Sequence, residues 1–423
     1  MASLWNASEI RVYARLFNEL HTGVNVDVEV YEWAEDAASH MALTTRLLAD
    51  PPDVFVSHSD LTFEKKSVEV LFADLYGFMD GPRGIGYDDY FSNIFSAAEI
   101  RGGLYLLPIH ISIECGFLNT RLMDGIGVDV SEVRELSFDG EIDLYQRVAE
   151  AFPDEEILSN PRFSIFQAFT RNRLYDVDNK LVYIDTPEMN ERLVRALDMP
   201  VDDEVVHFTP ERISERIIVT FGSSDDMLED SNVMVIPMGS NLNRLSAFFL
   251  QEHPGIQFSP PVTMVYGGSE GFGFHAYTSL SIMRDAANSG LAWEFVRFIM
   301  EFEDSLFLVS DYYSAISHLP INRARFENQV FELIDEIYTT NMFYSNMEQY
   351  ITMPPEEHKE QSITQIMDYL RNYLEQLNYE IRYNQAVMNS LIYPDIWLLH
   401  SGQQDVSRTL ANIQSRIELY IYE

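Results

Sequence analysis

The chain has 423 residues, 46% of them hydrophobic and 22% charged, with a formal net charge of −39. That length predicts two domains, each with a buried core. The charge excludes nucleic acid and anionic lipid as partners, because a surface this acidic repels phosphate. The one cysteine, Cys115, rules out a disulfide framework or a thiolate cage within the chain, and reads as a small buried hydrophobe. No apolar run reaches the roughly 18 residues of a membrane helix, and no signal peptide is visible at Met1.

In chain order, Ser8 can cap a helix over 8–21 whose apolar face is Val12, Tyr13, Leu16, Phe17 and Leu20, with Gly23 ending it. Val24, Val26, Val28 and Val30 alternate with polar residues, which predicts a strand. A helix over 36–49 stops at Pro51-Pro52, and 53–57 is a short buried strand. This order predicts an α/β domain with a mainly parallel sheet. Such a sheet opens with a strand, and Leu4-Trp5 reads as its stump. Segments 71–79 and 87–95 read as helices or turns, and Pro108 as the stop of a strand over 104–108. A second strand follows over 111–118, then a short helix-like segment after Asn119-Thr120.

Helices are predicted at 139–152 and 163–170, a hairpin at 176–185, and a helix at 187–197. Strands are predicted at 216–219, 233–237, 263–266 and 274–277, and a strongly amphipathic helix at 289–302. The remainder is largely helical, with turns near 317–320, 353–356 and 401–404.

The usual catalytic signatures are absent. There is no GxxxxGK[ST] loop and no HExxH, and GGSEGFGF at 267–274 lacks a strand-turn-helix setting. DVDNKLVYID at 176–185 has Leu181 where a calcium loop needs glycine. Neither GSSDD at 222–226 nor GGSEG at 267–271 is a GxSxG elbow.

Eight segments carry a resemblance. They are ARLFNELHTGVNVDVEVY, LLADPPDVFVSHSDL, GGLYLLP with FLNTRLMDGIGV, DNKLVYIDTPEM, SNVMVIPMGS, LAWEFVRFIMEFE, HLPINRARFE and GQQDVSRTLANIQSRIELYIYE. In this order they resemble the ABC-transporter substrate-binding proteins that handle sugars and oligosaccharides, the extracellular solute-binding proteins of family 1 type. The resemblance implies an α/β, two-lobed periplasmic-binding-protein-like fold of type II with a helix-rich C-terminal region. Lobe 1 would be 1–116 plus 266–312, and lobe 2 would be 117–265 plus 313–423, with the ligand cleft between them. The chain departs from the family pattern at Leu118-Asn119, where the family has Tyr-Asn, and at Asn241, where it often has tryptophan.

The family begins with a signal peptide, often ending in a lipid-bearing cysteine. The short first strand suggests a truncated start, and the expected location is outside the cytoplasmic membrane, periplasmic or lipid-anchored. The implied partners are a carbohydrate ligand and ABC permease subunits. The protein is expected to act as a monomer, without cofactor or metal, and to bind rather than transform.

In open α/β sheets, ligands gather at the carboxyl ends of strands. That rule selects Trp5 and Asn6; Ser57, His58 and Asp60; His110 and Glu114; Ser240 and Asn241; Phe272 and His275; and Tyr312 and Tyr313, with His318 nearby. Pyranose rings pack their C–H face on aromatics, for which Trp5, Phe272 and Tyr312 are platforms. Asp60 and Glu114 can accept paired hydroxyl bonds, and His58 and Asn241 can donate or accept. Each candidate also has a purely structural role open to it. Trp5 can be a core ring, His58 and Asp60 can cap a helix, and His110 can be a satisfied buried imidazole. Glu114 can form a hinge ion pair, Asn119 can stabilise the crossing turn, Phe272 can fill a loop, and Tyr312-Tyr313 can divide between core and surface.

Two other functions compete. Tyr312/Tyr313 with nearby histidines and Glu114 resembles the tyrosine pair of ferric-ion-binding proteins of the same general fold. A glycosidase would need two carboxylates about 5–9.5 Å apart, a spacing that 67 acidic residues meet somewhere by chance.

Overall fold

The computed structural model describes residues 2–4, 8–31, 37–58, 65–113, 115–154, 169, 174–176, 179–197, 235–238, 262–265, 272–302, 318–340, 359–381 and 387–422. Two sheets organise them. The first begins with β1 (Ala2–Leu4), α1 (Ser8–Leu20), β2 (Glu29–Tyr31), α2 (Ala37–Ala49) and β3 (Val54–His58). Strand β1 pairs in parallel with both β2 and β3, so the expected stump is a strand inside the sheet. Helix α1 buries Ile10, Tyr13, Ala14 and Phe17, the i, i+3, i+4, i+7 stripe of an amphipathic helix.

The expected strand over 24–30 is shorter than its valine alternation suggests, since only Glu29–Tyr31 enters the sheet. The reason lies in Asn18. Its Oδ1 accepts from the Val26 N–H at 2.7 Å and its Nδ2 donates to the Val26 carbonyl at 3.2 Å. One side-chain amide thus takes the place of a neighbouring strand.

Helices α3 (Lys65–Leu71), α4 (Tyr76–Met79) and α5 (Asn93–Ala97) precede β4 (Leu107–Ile113). Pro108 does not stop this strand but lies inside it. Proline is tolerated where a ladder is already irregular. The register against β11 (Phe272–Ile282) shifts between the pairs Thr278–His110 and Ser279–Pro108, and β12 (Leu319–Pro320) reaches only His110 and Ile111. The strand order is β12-β4-β11-β3-β1-β2, with β13 (Leu377–Glu380) pairing with β11 from outside that path. Because β11 is antiparallel to both β3 and β4, those two run the same way and end at the same edge.

The second sheet has the order β6-β10-β5-β9, from β5 (Cys115–Leu118), β6 (Glu135–Ser137), β9 (Val235–Met238) and β10 (Val262–Val265). The chain leaves the first sheet at Ile113 and enters the second at Cys115. Helices α6 (Thr120–Gly125), α7 (Phe138–Ala151) and α8 (Pro187–Leu197) contribute to its core, beside the hairpin of β7 (Tyr175–Asp176) and β8 (Leu181–Val182).

The remaining helices divide between two cores. The sheet helix α9 (Ser289–Glu301), with α10 (Arg323–Thr340) and α11 (Lys359–Gln376), buries Trp293, Phe326, Val330, Ile366, Leu370 and Leu374 in the first core. Helices α12 (Tyr393–His400) and α13 (Val406–Tyr422) bury Ile396, Leu410, Ile413 and Ile417 in the second. Of the stretch 313–423 expected in lobe 2, the described residues of 319–340 and 359–377 bury apolar side chains in the first core, and the second core resumes at Val387. Apolar helical periodicity marks a buried face without naming the sheet it covers.

A turn of π-helix, Met388–Ile392, precedes α12, with Tyr393 N–H donating to the Met388 carbonyl. The wide turn accommodates Pro394, whose ring would clash with the preceding turn of a regular helix. Just beyond it Asp395 is fully buried. Its carboxylate forms an ion pair with Arg416 at 2.6 Å and accepts at Oδ1 from Asn412 at 3.0 Å and Gln404 at 3.2 Å, locking α13 onto α12. Asp395→Ala should cost about 2–4 kcal/mol, since it removes the buried partner of Arg416 and of the half-buried amides of Asn412 and Gln404. A drop in the urea midpoint with an unchanged slope measures it.

Arg192 donates through Nε and Nη2 to both oxygens of Asp139, at 2.8 and 2.6 Å, tying α8 to α7. This bond holds the Asp139 carboxyl below its usual pKa. A depressed carboxylate contributes stability above its unfolded pKa and loses it as pH falls through the lower, folded value. Arg192→Leu should therefore destabilise the fold at neutral pH and flatten the acid limb of its stability profile below pH about 4.

Candidate functional site

Strand β11 separates an apolar face from a polar one. Phe274, Ala276, Leu280 and Ile282 join Val54, Val56, Ile109, Ile111 and Ile113 in the main core. Alternation directs the intervening residues to the opposite face. There His275 stands opposite Ser112, and Ser279 stands opposite both Ser57 and Pro108. Ser57, His110, Ser112 and Ser279 are all buried, and His275 is half-buried. Toward β2 this face is covered by a smaller apolar cluster that includes Phe55, Phe72 and Leu106. Across β11, β4 and β12 it is a lane of hydroxyls and imidazoles.

A bulge shapes the lane. The register moves from Ala276–Ile111 to Thr278–His110, which leaves Tyr277 as the extra residue. The Tyr277 ring stacks on His318 at a centroid separation of 3.3 Å and an angle of 20°. Both rings are half-buried. His318 immediately precedes β12, whose Pro320 pairs with His110.

The sequence candidates separate in this frame. Ser57, His110 and His275 lie on the one polar face. The backbone of His58 pairs with Thr278 at the end of β3. Phe272 is elsewhere: its ring packs edge-to-face on Tyr373 of α11 at 5.3 Å, and its N–H donates to Asn378 Oδ1 at 3.1 Å. The glycine beside it serves packing, since a Cβ on Gly273 would lie 2.6 Å from the Tyr379 ring. Trp5, Asn6, Asp60, Glu114, Ser240, Asn241, Tyr312 and Tyr313 lie outside the described residues. Sequence reasoning passed over Ser112, Tyr277 and Ser279. The signal was the alternation in HISI, 110–113, and FHAYTSLS, 274–281.

At the passage between the sheets, Cys115 is buried. Burial pushes up the Tyr369 phenol on α11, the Cys115 thiol raises it further, and Arg134 opposes them. Asn119 caps α6, accepting at Oδ1 from the N–H groups of Arg121 at 3.1 Å and Leu122 at 3.4 Å. It stabilises the crossing turn. Among the described residues no group of three His, Cys, Asp or Glu is arranged to hold a metal ion, and no helix is long and apolar enough to cross a membrane.

Solved structures match this arrangement over the whole chain. A putative oligosaccharide periplasmic-binding protein from Synechococcus superposes with a TM-score of 0.60 at 14% identity, covering 100% of this chain and 99% of that one. A family 1 extracellular solute-binding protein from Alicyclobacillus acidocaldarius gives 0.58 at 12%, covering 100% and 98%. An ABC substrate-binding protein from Listeria monocytogenes in complex with cycloalternan gives 0.55 at 12%, again covering 100% and 98%. The chain has the solute-binding-protein fold. No family model and no curated protein matches the sequence itself. At such identities the likeness is one of fold, α/β and two-sheeted.

The capping role of Asn119 carries its own test. Asn119→Ala should cost about 1 kcal/mol, read as a shift in denaturant midpoint, while Asn119→Asp should retain most of the stability.

Proposed function

We propose that the protein is the substrate-binding component of an ABC importer. It captures a sugar or oligosaccharide between two hinged lobes and delivers it to a membrane permease without transforming it. The observation that carries this reading is the buried lane of Ser57, His110, Ser112 and Ser279, in the sheet that also carries the Tyr277–His318 stack. Hydroxyls and imidazoles donate and accept in directed pairs, as sugar hydroxyls require. The fold supports it, since its solved examples include proteins whose names specify oligosaccharide ligands.

In this reading lobe 1 is the first sheet with α1–α5 and α9–α11, and lobe 2 is the second sheet with α6–α8, α12 and α13. The hinge comprises the passages at Ile113–Cys115, Val265–Phe272 and Glu380–Val387. Ligand contacts from both lobes favour closure, so binding and hinge motion are one equilibrium. His110, shortly before the first passage, and Glu114, within it, are the residues proposed to feel both. Trp5, Asn6, His58, Asp60, Ser240, Asn241, Tyr312 and Tyr313 remain the proposed contacts beyond the described lane. The working location is outside the cytoplasmic membrane, periplasmic or lipid-anchored, and the protein acts as a monomer on its permease. The ferric reading has no observation in its favour.

A thermal-shift panel of mono- and oligosaccharides tests the proposal. A ligand with Kd between about micromolar and nanomolar, at a hundredfold excess, stabilises by about 2.7 kcal/mol and raises Tm by several degrees. His110→Ala should weaken the response at least tenfold in Kd while leaving the unliganded Tm within a few degrees. Silence across the whole panel sinks the reading.

A further inference from the structure

The three passages between the sheets leave the first sheet side by side. Phe274 of β11 pairs with Ile113 of β4 on one side and with Glu380 of β13 on the other. Ile113 ends the strand before the first passage, Phe272 opens the strand after the second, and Glu380 ends the strand before the third. Neighbouring strands lie about 4.8 Å apart, so the row of passage ends is only about 10 Å long. Hinge motion concentrates in a few residues at the ends of elements, and here those ends lie on one line.

Helix α11 backs this row. It runs directly into β13, and Asn93 of α5 fixes the joint, donating through Nδ2 to the carbonyls of Leu374 and Leu377 at 2.8 Å each. Tyr373 is buried, and its ring meets Phe272 edge-to-face at 5.3 Å. Tyr369, one turn earlier, lies 6.2 Å from Tyr373. Its ring packs against the first core, and the Cys115 thiol is close enough to raise its pKa. Cys115 is the first residue of β5 in the second sheet, yet its side chain is buried in the first core. The rings of Phe272, Tyr373 and Tyr369 thus reach from the second passage to the far side of the first. The third is held close as well, since a Cβ on Gly273 would lie 2.6 Å from the Tyr379 ring and 2.8 Å from Ile381.

We propose that Tyr369 and Tyr373 are positioning residues of the hinge: their rings form the bearing against which the first strand of the second lobe turns, and so confine the lobes to one path of closure. This role rests on the two-lobed binding reading. Removing a packed ring leaves a gap that its neighbours fill only in part. A gap between α11 and Cys115 gives the second lobe slack, and more interlobe orientations become accessible. Apparent Kd is the intrinsic Kd divided by the fraction of molecules competent to bind. Slack lowers that fraction, so the rings set affinity without belonging to the polar lane or touching ligand.

The test uses the full chain without ligand. Nitroxides at Met41→Cys and Leu419→Cys, both exposed and one on each lobe, report the distribution of interlobe distances by double electron–electron resonance, while buried Cys115 stays unlabelled. Tyr369→Ala and Tyr373→Leu should each widen that distribution. Tyr369→Phe keeps the ring and should leave it as in the parent. Phe326→Leu, at a buried ring of the same core that stacks on Phe91, is the control for lost stability and should not widen it; circular-dichroism melts rank the four variants. For any sugar the parent binds, Tyr369→Ala should raise Kd about threefold or more. An unchanged width in either ladder variant, widening by Tyr369→Phe or by Phe326→Leu, or a Kd unchanged or lowered overturns the proposal, even where the parent binds sugar. A parent that binds no sugar overturns the carbohydrate reading instead, and the distance distributions still decide the role of the rings.

Discussion

The pairing of β11 between β3 and β4 is the constraint on which the other features depend. The strand spans Phe272–Ile282 and runs antiparallel to both neighbours. One set of its alternate side chains completes the main core, and the other set builds the polar lane. A shift of one residue would exchange these faces, placing Phe274 and Leu280 in the lane and burying His275 and Ser279 in hydrocarbon. Fold stability and site composition are thus fixed by one register. The bulge at Tyr277 relaxes that register locally without losing it, because the compensating shift opposite Pro108 restores the alternation by Leu280.

Much of this architecture is legible where one physical rule dominates. The helices α1 and Pro187–Leu197 follow from helical spacing, although α1 buries Ile10 and Ala14 and leaves Leu20, expected on its apolar face, exposed; the Asp176–Val182 hairpin follows from its turn chemistry, Asp176 accepting from the N–H and Nδ2 of Asn179. Legibility fails where two rules compete. The valines of 24–30 promise a strand, but a distant asparagine satisfies Val26 first. Pro108 promises a stop, but an irregular ladder tolerates it. Helices α10 and α11 are plainly amphipathic, yet nothing in their period says which sheet they cover.

The site shows the same division. Ser57, His110 and His275 stand out because polar residues are rare inside apolar runs, and the structure brings them to one face. Phe272 stood out for a different reason, its glycine-rich setting, and that setting misleads. Gly273 is small to admit Tyr379, and the neighbouring ring packs on Tyr373. The contribution of Tyr277 depends on a bulge, which is a relation between two strands and has no local signature. Ser112 and Ser279 could be found only by treating period-two polarity as informative within strands otherwise read as buried.

The position of β11 in the chain has a consequence for how the protein is made. Strands β3 and β4 end at His58 and Ile113, while the strand that fills the slot between them is complete only at Ile282. During synthesis, both leave the ribosome with an open edge, and more than a hundred residues of the second unit follow before that slot is filled. Contacts so distant in sequence form late and slowly, and open edges of this kind invite mispairing. The same strand that unites the first sheet in the native state makes its early folding a problem for the cell to manage.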